Sequence, residues 1–254
     1  MNRKKDKQRR LVKLVTVVVM LCALSPMGRV EAQISSIGVQ AGAGYSRLVD
    51  NIVTKGGAFG AMVGGYVTYE FSDARSVIAN NLYLQGGLNL VRRGGAFEEQ
   101  FTISNYKTTC SGYYHAWYAQ IPVLVSYRYE LPIRSSGHYL RAFVGPAFSV
   151  GLFGHYSARS ISPHRPQTSV NYNIENDPAF SHMNRIDVDA IIGVGYQFEN
   201  IVANLYVDYG FLAVDKDTDV LKALLSEDAK DAVVPGGNLV SFMLSIGYQF
   251  PSKK

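Results

Sequence analysis

Six ionisable residues, Glu70, Arg128, Arg141, Asp187, Asp189 and Asp208, fall inside stretches whose other residues are mostly apolar, small or neutral. A charge withdrawn from water must find a counter-charge or hydrogen bonds, or be given up. Six of them in such company therefore imply either internal ion pairs or a path for protons or ions. Groups of this kind serve structure as readily as chemistry, and a path would need a continuous column of water. A second set, His115, His155, His164 and His182 with Ser104, Ser157 and Asp177, could in principle hydrolyse an ester or amide. Nucleophilic catalysis needs a nucleophile held against a base, and no spacing here ties one to the other, so no catalytic residue is assigned and an enzyme is not expected. Cys110 stands far from any CxxC pattern, and neither a metal site nor a cofactor is expected.

The elements that carry these residues are legible from a period of two. Ile37, Val39, Ala41, Ala43 and Tyr45 alternate with Gly38, Gln40, Gly42 and Gly44, and the same rule runs through Phe59–Phe71, Leu82–Leu90, Trp117–Tyr129, Leu140–Leu152, Ile186–Phe198, Ile201–Phe211 and Val240–Phe250. Period two means strands with one apolar face. Pro122 lies inside the fourth stretch and cannot donate to a ladder, which predicts a bulge there. The six charges lie on the second faces. Glu70, Arg128 and Arg141 are near one end of the strands, and Asp187, Asp189 and Asp208 nearer the other.

Those second faces hold Gly, Ser, Asn, Gln and Tyr, with few Lys or Glu. A water-soluble sandwich would carry charge on its outer faces. Lipid around the apolar face and a narrow lumen filled by small and polar groups fit better, and predict an all-β, eight-stranded, antiparallel transmembrane barrel of up-and-down topology. Segments 46–56, 93–112, 154–184 and 214–237 read as long loops, alternating with short ones at 72–76, 131–138 and 199–200, as a barrel with short periplasmic turns requires. Aromatic rings settle at headgroup level. Tyr69, Phe71, Tyr127, Tyr129, Tyr196, Phe198, Tyr248 and Phe250 would form the periplasmic girdle, and Tyr45, Trp117, Tyr209 and Phe211 the outer one. In the last loop, Val220, Leu221, Leu224 and Leu225 have helical spacing within 219–232.

Residues 1–32 read as a secretory signal peptide: Arg3, Lys4, Lys5, Lys7, Arg9, Arg10 and Lys13 precede an apolar run from Leu14 to Leu24, and Val30-Glu31-Ala32 is a small-residue cleavage site before Gln33. The apolar run is shorter than the ~20 residues of a spanning helix. The barrel domain would then be 33–254. Its 17 Lys+Arg against 18 Asp+Glu give a net charge of −1, so the basic character of the whole chain belongs to the targeting segment. Nucleic acid is not an expected partner.

Tyr118-Ala119-Gln120-Ile121-Pro122-Val123-Leu124-Val125-Ser126-Tyr127-Arg128-Tyr129, the Leu140–Phe148 stretch with Val144-Gly145-Pro146, Gly193-Val194-Gly195-Tyr196 and Ser245-Ile246-Gly247-Tyr248-Gln249-Phe250 together resemble the PorT-like outer-membrane β-barrel family of the Bacteroides group. The resemblance covers the order of strands along 33–254. It departs at Pro251-Ser252-Lys253-Lys254, which follow Phe250 where the family ends on an aromatic assembly signal. It implies a place in the outer membrane of a Gram-negative bacterium, contact with outer-membrane lipid, and a part in protein secretion of the type IX kind through other envelope or secretion proteins. The alternative is a structural, surface-interaction or small porin-like barrel with no secretion role.

Overall fold

Side chains that alternate between two environments keep a strand in one register, because a slip of one residue would exchange every one of them. In the computed structural model each alternating stretch is a strand. The structure describes residues 32–49, 54–71, 81–103, 106–132, 137–162, 165–173, 184–212 and 237–251. Through them run β1 (Ala32–Val49), β2 (Thr54–Phe71), β3 (Leu82–Ile103), β4 (Tyr106–Glu130), β5 (His138–Ser162), β6 (Arg165–Asn173), β7 (Ile186–Phe198), β8 (Ile201–Gly210) and β9 (Asn238–Pro251). Neighbours are antiparallel in the order β4-β3-β2-β1-β9-β8-β7-β5, and β4 also pairs with β5. This pairing closes eight strands into a ring. A closed ring has no edge strand to leave backbone groups unpaired in lipid.

Burial follows the pleat. Val39, Val63, Leu88, Ile121, Val144, Ile192, Leu205 and Ile246 point outwards and are exposed, whereas Gln40, Gln85, Asn89, Gln120, Asn204 and Gln249 point inwards and are buried. Water around this surface would make it a single apolar patch far larger than soluble monomers carry. Lipid around it leaves only the polar faces to be satisfied, and inside the ring they hydrogen-bond to one another, as Gln40 does to Asn89 and Arg93 to Asp189.

The two ends differ. At one, β7 and β8 are joined by the two-residue turn Glu199–Asn200, with Glu199 at φ 50°. Beside it Gly137 has φ 101°, a backbone that favours glycine, and its carbonyl accepts the Glu199 N–H at 2.9 Å. At the other end β3, β4 and β5 continue past the Arg92–Trp117–Phe153 rung up to Ile103↔Tyr106 and Thr109↔Ile161. From Trp117 to Tyr106 strand β4 runs on for roughly 35 Å along its own axis. The end with the tight turn is periplasmic by the rule for bacterial barrels, and the tall end faces outwards.

Several expectations are corrected. Segment 93–112, expected as a loop, is mostly paired strand, 46–56 is strand up to Val49 and from Thr54, and 154–184 holds the end of β5 and the whole of β6. β6 is a ninth strand, paired with β5 between His155↔Asn173 and Ser162↔Arg165, above the point where β5 meets β7 at Val150↔Ile186. Above the membrane neither face meets lipid, so alternation is no longer required although pairing persists. The short turn expected at 72–76 lies outside the described residues. Pro122 makes no bulge. The β3–β4 ladder passes from Asn89↔Gln120 to Gly86↔Val123 in one register, so the missing donor costs rungs and not alignment. The irregularity sits instead at Trp117/Tyr118, where β5 carries the additional residue Leu152. The signal peptide, the helix expected within 219–232, and Ser104, His164, Asp177 and His182 lie outside the described residues.

Candidate functional site: the lumen and its two mouths

Inward-facing positions of five strands meet in one buried cluster. Arg93 of β3 donates from Nη1 to Asp189 Oδ1 at 2.7 Å and from Nη2 to Asp189 Oδ2 at 2.9 Å, the parallel two-bond geometry that suits a guanidinium to a carboxylate. Its Nη2 also donates to Ser149 Oγ at 2.8 Å and lies 3.3 Å from Asp208 Oδ2. Gln120 Nε2 reaches Asp189 Oδ2 at 3.1 Å and Asp208 Oδ2 at 2.9 Å, and Ser149 donates to Asp189. The Arg93 guanidinium stands 5.3 Å from the centre of the Tyr118 ring. Arg93 and Asp189 side chains are 0% exposed and Asp208 1%. Asp187, nearby and buried, accepts the backbone N–H of Val188 at 2.8 Å and of Leu212 at 3.0 Å.

Below this polar layer lies an apolar one. Met62, Val91, Leu124, Phe143, Ala147, Ile191, Tyr206 and Met243 form a buried cluster inside the ring, with Phe143 edge-on to Tyr206 at 6.2 Å between ring centres. An eight-stranded barrel is just wide enough for side chains to fill, and here ions in one layer and hydrocarbon in the next close it. Against this layer is a small cavity lined by Gln40, Gln85, Asn89 and Asn204 together with Leu124, Phe143 and Ile191 of the apolar cluster, with Gln40 Nε2 donating to Asn89 at 3.1 Å.

At the periplasmic mouth Arg128 is clamped between two rings, 4.4 Å from the centre of Tyr83 and 4.6 Å from that of Tyr139. Glu70 lies 3.9 Å away, with the two side chains 27% and 41% exposed. Arg141, directly opposite Arg128 on β5, is buried and donates to Gln85 Oε1 at 2.8 Å.

The six charges singled out in the sequence thus sit in two separate groups: Asp187, Asp189 and Asp208 above, Glu70, Arg128 and Arg141 below. Arg93, which binds the upper group together, was not among them, since 93–112 read as a loop. Carrying the alternation past Asn89 places Val91 and Arg93 on the lumen face, and three buried aspartates with no cation beside them are the signal that one is missing. Rings meet in pairs towards both ends of the strands. Tyr248 and Phe250 meet at 4.9 Å and His138 stacks on Phe198 at 4.6 Å at the periplasmic end, where Tyr69, Tyr127, Tyr129 and Tyr196 also lie. Trp117 meets Phe153 at 6.2 Å and Tyr209 meets Phe211 at 5.3 Å at the outer end, with Tyr45 on the same rim. The Phe71 side chain is outside the described residues. Above Trp117, the rings of Tyr113, His115 and His155 lie 5.5–6.1 Å apart on the outer face. Among the described residues no group of His, Cys, Asp and Glu is arranged to hold a metal.

No curated protein matches the chain. Ail, the attachment invasion locus protein of Yersinia pestis, solved in complex with the heparin analogue sucrose octasulfate, is 14% identical with a TM-score of 0.37, over 86% of this chain and 100% of that one. Neisserial surface protein A is 11% identical with a TM-score of 0.38, over 84% and 97%. The N-terminal β-barrel domain of Pseudomonas aeruginosa OprF is 13% identical with a TM-score of 0.28, over 86% and 100%. Residues 31–215 match the family described as the outer membrane protein beta-barrel domain, and with its closed eight-stranded ring and lipid-facing apolar surface the chain belongs to that family, in the outer membrane of a Gram-negative bacterium.

Proposed function

We propose that this chain is a non-catalytic, non-conducting barrel that acts by binding at its outer face, exported by means of a signal peptide over 1–32. The observation that carries the proposal is the wall formed by β3, β4, β5 and β6 above the outer girdle. Paired strands held upright beyond the membrane offer a stiff, preformed surface, and preformed surfaces lose less entropy on binding than loops do. Tyr113, His115 and His155 on that wall belong to residue types suited to contact with a partner. The filled lumen argues against a porin-like role, because an ion would have to cross both the Arg93 layer and the hydrocarbon layer below it.

A second reading, that the barrel assists protein secretion of the type IX kind through envelope partners, is favoured by the resemblance of 118–129, 140–148, 193–196 and 245–250 to the PorT-like family. The two readings differ in what is bound. A strain lacking the gene is complemented with the full chain or with a chain in which 98–111 is replaced by a tight turn, and surface-exposed, secreted and co-purifying proteins are compared. Loss of a bound surface partner with secretion intact supports the first reading. Cargo held in the periplasm without the gene supports the second. If partners and secretion are unchanged by both the deletion and the shortened wall, neither reading stands.

A further inference from the structure

The periplasmic half of the lumen holds two guanidiniums against one carboxylate among the described residues. Arg128 and Arg141 are direct cross-strand partners pointing into the same space, a placement of like charges that normally destabilises a sheet. Glu70 is the one carboxylate paired with them among the described residues, and it lies 3.9 Å from Arg128, at the limit of an ion pair. Arg141 is 6% exposed, and it donates to the neutral amide oxygen of Gln85 and meets the Tyr66 hydroxyl. Among the described residues it forms no ion pair. An arginine stays protonated in a protein, so its charge cannot be relieved by titration, and a buried charge without a counter-charge is costly.

Two hydroxyls on inward faces, Thr68 Oγ1 of β2 and Ser126 Oγ of β4, are buried without a hydrogen-bond partner. Tyr66 lies over Gly38 with its hydroxyl 3.5 Å from the position a Cβ would take on Gly247, and Ser126 is two residues from Arg128 on the same face of β4. Two guanidiniums and unsatisfied hydroxyls around one space call for a species with several acceptor oxygens and a negative charge. The mouth is open to it, since the Arg128 side chain is 27% exposed.

We infer that the periplasmic mouth of the barrel is a binding site for a small oxyanion, a carboxylate or a phosphate, held by Arg128 and Arg141. Glu70 occupies the outer edge of the site and is the intramolecular carboxylate that an incoming anion competes with. Two sources fit this chemistry: a free ion, or the carboxylate at the end of a periplasmic peptide.

The test follows the Arg Nε–H resonances of the full barrel in detergent while sodium phosphate, sodium acetate, or a short N-acetylated peptide with a free or an amidated C-terminus is added at constant ionic strength. The expected result is saturable displacement of the Arg128 and Arg141 signals with the Arg93 signal unmoved, together with a rise in unfolding temperature. Arg141→Gln should weaken the apparent affinity by about tenfold or more, as loss of a charge-assisted contact implies, without lowering the anion-free unfolding temperature, because it removes an unmatched charge. Arg128→Gln, at a partly exposed position, gives the same reading should Arg141→Gln not fold. Equal response to phosphate and acetate with none beyond acetate from the peptide assigns a free ion. A stronger response to the free-ended peptide than to its amide assigns a peptide terminus. Absence of a saturable shift, or an unchanged response in both variants, overturns the inference.

Discussion

Arg93→Met tests the upper layer of the plug. The guanidinium makes two bonds to Asp189 and one to Ser149, and stands 3.3 Å from Asp208, all with 0–1% exposure of the charged side chains. Taking away one partner of a buried pair leaves the other charge stranded, at a cost of about 3–5 kcal/mol. Here two aspartates are stranded at once, and Gln120, which donates to both, can satisfy only part of their demand. Asp189→Asn should cost less, because Arg93 keeps Asp208 and Ser149. Asp208→Asn should cost least, within ~1 kcal/mol, because the bidentate pair survives and one of the surplus negative charges is gone. Arg93→Met combined with Asp189→Asn and Asp208→Asn should recover most of the loss, since removing a whole buried ionic cluster is often neutral. Midpoints of urea unfolding in detergent, read from the shift in gel mobility between folded and unfolded barrel, give the order. If Arg93→Met unfolds at the wild-type midpoint, or the triple variant is no more stable than Arg93→Met alone, the ion cluster does not hold the lumen as argued.

A Cβ added at Gly38 would lie 2.3 Å from Cζ of Tyr66, so Gly38→Ala should destabilise by about 1–3 kcal/mol, and combining it with Tyr66→Ser should cost less than the sum of the two; strict additivity in the same unfolding assay would contradict the contact. Ile192, 62% exposed on the lipid face midway between the girdles, should lose roughly 2–4 kcal/mol as Ile192→Arg in a bilayer, whereas Tyr113→Arg above the rim should lose almost nothing; equal losses in vesicles would misplace the membrane. Sequencing the mature protein from its N-terminus should begin at Gln33, and a chain isolated from outer membranes with residues 1–32 attached would refute cleavage.

The spanning part of this fold is written plainly in the chain because lipid and lumen impose opposite demands on successive residues. Ile186–Phe198 and Val240–Phe250 alternate except at Ile191 and Met243, and both are strands in the structure. What was illegible lies where one of those demands disappears. The stretches 97–103, 106–112 and 165–173 stand beyond the outer rim, where their strands rest on pairing and look like loops in sequence. Arg93 escaped notice for the same reason, sitting where the alternation of β3 fades. The separation of the six charges into two groups depends on Met62, Leu124, Phe143 and Met243, apolar residues on the polar face, whose spacing in sequence gives no hint that they converge. The clamp of Tyr83 and Tyr139 around Arg128 joins three strands and is equally a product of closure.

Ring closure is the claim on which the rest depends, and the β1–β9 seam tests it most directly. Ala43 and Leu244 are direct partners across that seam and both face outwards. With Cys110 replaced by serine, Ala43→Cys and Leu244→Cys should form an intramolecular disulfide under mild oxidation, whereas Ala41→Cys with Leu244→Cys, two residues out of register and beyond the reach of a disulfide, should not. A barrel closed in this register gives the first cross-link alone; no cross-link, or both in equal yield, would contradict it.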